Sequence, residues 1–272
     1  MQVIPVADAA RGFGATSRRD HWWVAPLFVF LGLGGFLVYG TWAAMQGAFY
    51  EYGPYLSPFY APVLWGDSPH AWFGTTPPAW VWPGFLGAIV PYSPALLILP
   101  FPGLFRFTCY YYRGAYYKAF WADPPACAVG ESRKVYLGEQ RLPLLVQNVH
   151  RYFLYLALGF LVVLARDAWL GMWFRGADGQ QHFGLGVGSL VLAVNVVLLG
   201  GYTLGCHSFR HLVGGALDVF SRHPVRKKCW DCVSCLNRGH QLWAWASLFW
   251  VGGTDAYVRL CAHGVWHDAR LF

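Results

Sequence analysis

Cys229, Cys232 and Cys235 recur every third residue, and upstream His207 and His211 stand four residues apart. Cys206 directly precedes His207, and His240 follows the cysteine run. Thiolates and imidazoles are ligands of iron and zinc, and two thiolates separated by two residues can hold one metal. If His207 and His211 share a helix, they project from one face about 40° apart. That spacing suits two imidazoles on one metal and also suits a polar pair at a membrane interface. Two Cys with two His form the ligand set of a Rieske-type two-iron cluster or of a structural zinc. The paired Rieske boxes are absent, and the cysteine run lacks the fourth Cys followed by Pro that completes a ferredoxin motif. His207, His211, Cys232 and Cys235 are therefore the first candidates, with Cys206, Cys229 and His240 in reserve.

The elements that must position these residues are membrane helices. Hydrophobic residues make up 56% of the 272 and charged residues only 12%, against about 25% charged in a soluble domain. The expected fold is all-α, an integral membrane bundle of five transmembrane helices forming one domain over residues 1–272. The spans are placed at about 23–45, 80–105, 152–173, 183–204 and 242–260, each near the ~20 residues that cross the hydrocarbon. Pro83, Pro91, Pro94, Pro100 and Pro102 kink or shorten the second.

Basic residues orient the bundle. With the N-terminus cytoplasmic and the C-terminus outside, sixteen Lys and Arg lie inside and four, Arg166, Arg175, Arg259 and Arg270, lie outside. That bias follows the positive-inside rule and assigns the net charge of +7 to cytoplasmic loops, not to nucleic-acid binding. Six of the seven cysteines then face the reducing cytoplasm, where metal ligation explains a dense group better than disulfides do. Ser17-Arg18-Arg19 before the first apolar run has a twin-arginine look, but the long apolar stretch favours an uncleaved first span. The loop from Gly47 to Ala79 has no Lys or Arg and is rich in Pro, Tyr and Trp; it is expected against the outer interface.

Three further clusters carry chemistry. No histidine lies inside the first or second span, which disfavours a pair of haems across the bilayer. His150 with His240, or with His211, could hold one haem near the cytoplasmic face. Tyr111, Arg113 and Tyr116 follow the second span, and His150 and Arg151 begin the third. Tyrosines and basic residues at this depth serve as anchors, or as donors to the carbonyl oxygens of a quinone headgroup. Asp255 and Arg259, four apart in the fifth span, are placed to pair as a bridge or as a functional ionisable site.

Several ordered motifs together resemble one family. They are Phe105–Arg113, Pro124–Val129, Gln147–Tyr152, Cys206–Leu212 and Thr254–Arg259. The stretch from Leu104 to the C-terminus is similar to membrane-anchor subunits of actinobacterial-type succinate dehydrogenase. The resemblance implies five spans in a bacterial plasma membrane, with a flavoprotein subunit and an iron–sulfur subunit at the cytoplasmic face. It implies electron transfer to a quinone, menaquinone or another, through a bound redox centre. In some members that centre is a Rieske-like 2Fe-2S cluster in place of haem. Succinate would be oxidised on a partner chain, so no catalytic residue is expected here. The alternatives are an anchor that binds haem b and, in another class, a membrane scaffold with a structural zinc.

Overall fold

The structure is a computed structural model that describes residues 20–120, 145–176, 178–215 and 217–272. Arg11, the Ser17–Arg19 run, Cys127 with its Pro124–Val129 motif, Arg133, Lys134 and Arg141 lie outside the described residues.

Helices dominate. Helix α1 (Val24–Gln46) has no Asp, Glu, Lys, Arg or His; α7 (His150–Leu170) and α8 (Val187–Leu204) take up most of the stretches expected as the third and fourth spans. Among the described residues these three are long and apolar enough to cross a membrane. The expected fifth span is α11 (His240–Ala262), equal to α1 in length at 23 residues but carrying Asp255 and Arg259. The expected second span is not one helix. Residues 80–105 form α2 (Gly84–Gly87), α3 (Pro94–Ile98) and most of α4 (Pro100–Thr108). Each proline removes a backbone donor and crowds the preceding turn, so the helix restarts instead of bending. Pro94 sits in the first turn of α3, where its missing N–H costs nothing. The shorter helices are α5 (Tyr110–Ala119), α6 (Leu145–Asn148), α9 (His207–Gly214) and α10 (Pro224–Arg238). Among the described residues, two small antiparallel hairpins modify the strictly all-α expectation. They are β1 (Glu51–Tyr52) with β2 (Tyr55–Leu56), and β3 (Trp173–Arg175) with β4 (Gln181–Phe183).

The chain divides into two compact units, one of Met1–Leu37 with Arg106–His150, the other of Val38–Phe105 with Arg151–Phe272. In the first, Phe30 meets Phe120 at 4.9 Å and Phe107 stacks on Tyr116 at 5.6 Å.

In the second unit α8 and α11 pack antiparallel. A Cβ on Gly201 would lie 2.5 Å from the Trp243 ring, so only glycine admits this approach. Ten residues earlier on α8, the Val191 carbonyl accepts from Trp250 Nε1 at 3.0 Å. Tyr55, Ala168, Leu192 and Val258 form a buried cluster beside this pair. The 47–63 part of the loop expected at the outer interface packs against α8 and α11. Tyr55, Leu56, Phe59, Tyr60, Ala61 and Val63 are all buried, because its aromatic and apolar side chains have a helix pair to cover. The C-terminal tail closes over the start of α8. Asp268 accepts from Gly188 N at 2.8 Å, Tyr55 OH at 2.8 Å and Tyr257 OH at 2.6 Å, placing a carboxylate at a helix N-terminus.

Candidate functional site

The buried ion pair is the most completely built polar site. Asp255 and Arg259 sit one turn apart on α11, 0% and 4% exposed. Arg259 Nε donates to Asp255 Oδ2 at 3.2 Å, and its Nη2 donates to Oδ1 at 3.3 Å. Tyr39 OH donates to Oδ2 at 2.6 Å, and Ser57 Oγ donates to Oδ1. Arg259 also reaches the carbonyls of Ala48 at 2.8 Å and Ala43 at 3.3 Å, and lies 5.4 Å from the centre of the Trp42 ring. Every charge is answered, so α1, the 47–63 loop and α11 are tied at one point. A satisfied buried pair of this kind acts as a bridge.

The thiols and imidazoles are placed differently. Helices α9 and α10 pack through Gly214, which receives Trp230, and through Arg210, which donates to Ser234 Oγ at 3.0 Å and covers Trp230 at 4.5 Å. The contact ridge of α10 is therefore Trp230–Ser234. Cys229, Cys232 and Cys235 are about 120–180° from that ridge around the helix, and all three are exposed. His207 and His211 lie together to one side of the α9 contact face, and both are exposed. Among the described residues no three His, Cys, Asp or Glu side chains gather into a group that could hold a metal. The first-choice set has the right ligand chemistry, but the structure does not bring its two pairs together.

Two of the reserve residues, Cys206 and His240, sit deeper than Cys229. Cys206 is buried where α8 ends and α9 begins, and His240 opens α11. Asn237 Nδ2 donates to the Gly205 carbonyl at 2.7 Å, and Tyr202 stacks on the His240 ring at 5.1 Å. The Gly205–Cys206 turn is thus held against the Leu236–His240 turn. Burial is a long-range property that residue spacing does not carry.

Four of the five quinone candidates belong to the first unit and Arg151 to the second, where its guanidinium lies 6.0 Å from the centre of the Tyr152 ring. His150 is 6% exposed, and its Nδ1 shares a 2.8 Å hydrogen bond with Thr108 Oγ1. Along α5, Tyr116 shares a ridge with Tyr112, while Tyr111 and Arg113 lie to either side of it, about 100° from Tyr112. Arg113 covers the Tyr110 ring at 4.8 Å. Sequence reasoning missed Tyr112, which is 1% exposed and accepts from Arg106 Nη1 at 2.8 Å. The i, i+4 pair Tyr112–Tyr116 was the available signal. Burial pushes the phenols of Tyr112 and Tyr116 above the usual tyrosine range, and the Arg106 guanidinium opposes the rise at both. Both are neutral hydroxyls, able to donate.

Three long apolar helices define a multi-pass membrane protein, with aromatic, basic and imidazole groups gathered at the ends of α4, α5 and α7. Residues 24–264 match the model of the actinobacterial succinate dehydrogenase subunit SdhC, and the chain belongs to that family. It is a multi-pass membrane subunit of a bacterial succinate dehydrogenase. A chain of the Mycobacterium smegmatis Sdh1 complex in the apo form is similar to it, at 42% identity with a TM-score of 0.80, over 94% of each chain. No curated protein matches.

Proposed function

We propose that the chain carries electrons from a partner iron–sulfur subunit to a membrane quinone, as one transmembrane domain of five spans with a cytoplasmic N-terminus. Succinate is oxidised on a partner flavoprotein subunit. The observation that carries this reading is the match along 94% of a chain from a solved succinate dehydrogenase complex. The α5 region supports it locally: Tyr111, Arg113 and Tyr116 are donors on a largely aromatic helix, and the buried His150 imidazole is hydrogen-bonded to Thr108, two residues before that helix. Quinone reduction takes up two electrons and two protons, so donors that hold the carbonyl oxygens also stabilise the charge that develops there. The quinone, menaquinone or another, keeps its tail in lipid.

The redox centre is proposed as a Rieske-like 2Fe-2S cluster, with haem b as the alternative. His207, His211, Cys232 and Cys235 supply its ligand types. From the reserve set Cys206 is buried and His240 half-buried, and burial tunes a cluster's potential.

The test uses the purified complex. His150→Ala or Arg113→Gln should reduce quinone reduction at least tenfold while succinate oxidation with a soluble artificial acceptor is retained. Loss of both activities from an assembled complex overturns the site. Iron with acid-labile sulfide supports the cluster, haem absorbance the alternative, and zinc alone the scaffold.

A further inference from the structure

Asn195 lies midway along α8, about 12–14 Å from either end of the helix, and is 1% exposed. Neither its Oδ1 nor its Nδ2 has a hydrogen-bond partner among the described residues. It stands on the face of α8 that carries the buried Ser189 and Leu192, within a helix apolar enough to span a membrane. Lipid cannot satisfy an amide, so an unanswered one at this depth is expensive.

The helix pairing shows what lies opposite. Gly201 meets Trp243 and Val191 meets Trp250, so interpolation between these contacts puts Ser247 of α11 at the level of Asn195. Ser247 is 0% exposed, and its hydroxyl donates to the Ala244 carbonyl at 3.3 Å. A hydroxyl oxygen accepts while it donates. Leu192, Leu248 and Val251 are buried on the side toward the C-terminal end of α11, giving that side an apolar boundary.

We propose that Asn195 and Ser247 form a binding site for internal water in the middle of the α8–α11 pair. An amide with both halves unanswered needs a ligand that donates and accepts at once, and water is the smallest that does. Asn195 Oδ1, Asn195 Nδ2 and Ser247 Oγ supply three contacts, the usual complement of a buried water. The water gives an otherwise apolar span an exchangeable proton at its centre. The site depends on the α8–α11 packing and not on electron transfer, so it stands or falls apart from the quinone reading.

The test is infrared spectroscopy of the purified complex, alongside a high-resolution map. Wild type should show a narrow water O–H stretch that shifts when the solvent oxygen is exchanged for the heavy isotope. The map should place density about 3 Å from both amide atoms of Asn195. Asn195→Leu should abolish the band, and Ser247→Ala should shift it. If Asn195→Leu fails to assemble, Ser247→Ala is read alone. No isotope-sensitive band in wild type, an unchanged band in Ser247→Ala, or direct bonding of Asn195 to protein or lipid overturns the proposal.

Discussion

Single residues in the 47–92 region report how firmly the loop is packed. Tyr50 stacks on Tyr60 at 4.2 Å, and Tyr92 OH donates to the Trp65 carbonyl at 2.8 Å. Burial pushes the Tyr50 phenol up to about 12, and Glu51 adds to the rise. An unfolded tyrosine titrates near pH 10. The folded state thus holds this proton more tightly. The stability it contributes is fully present below about pH 10 and is lost as pH rises toward about 12. Tyrosinate absorbance should appear late for Tyr50 and together with loss of protease resistance in the loop. Ionisation near pH 10 with the loop intact would show that Tyr50 is not packed. The sequence marked this loop as aromatic and free of Lys and Arg, which fits both an interfacial position and a packed one. Only the tertiary structure shows the contacts with the helix pair.

At the scale of elements, α11 illustrates a motif that was legible from spacing alone. Asp255 and Arg259 are one turn apart, so their pairing follows from helix geometry. Their other partners, Tyr39, Ser57 and two backbone carbonyls, come from distant parts of the chain. Asp255→Ala leaves the buried guanidinium without its carboxylate. It should destabilise the protein by about 3–5 kcal/mol, as loss of one partner of a buried pair does. Asp255→Leu combined with Arg259→Met should recover much of that loss. Thermal melting of the purified complex measures both, and an unchanged midpoint in Asp255→Ala would contradict the network. The cysteine helix α10 shows the converse. Three thiols at i, i+3 and i+6 must lie on neighbouring parts of one helix surface, but nothing in that spacing says whether the surface is covered. Trp230 and Ser234 meet α9, and the thiols point away from it.

For the whole molecule, the basic-residue bias makes a prediction about sidedness. Cys232 is exposed on α10, and Asp178 is exposed at the turn between β3 and β4. After removal of soluble subunits, an impermeant maleimide should label Cys232 in inverted membrane vesicles only. An Asp178→Cys variant should label in right-side-out vesicles only. The reverse pattern would invert the proposed orientation.

What the sequence determined by itself was the class of molecule. Scarce charge and long apolar runs leave few options other than a membrane protein, and α1, α7 and α8 lie where those runs lie. Ordered motifs from Leu104 onward were specific enough to point to the family that residues 24–264 match. Local spacing also determined which side chains share a helix face. The tertiary structure decided which of those faces are buried. It broke residues 80–105 into short helices, packed the 47–63 loop onto α11, left Cys229, Cys232 and Cys235 exposed, and enclosed Cys206, His150 and Asn195. The physical reason is that helix periodicity is a local property of the backbone. Burial depends on which surfaces, far apart in the chain, close against one another.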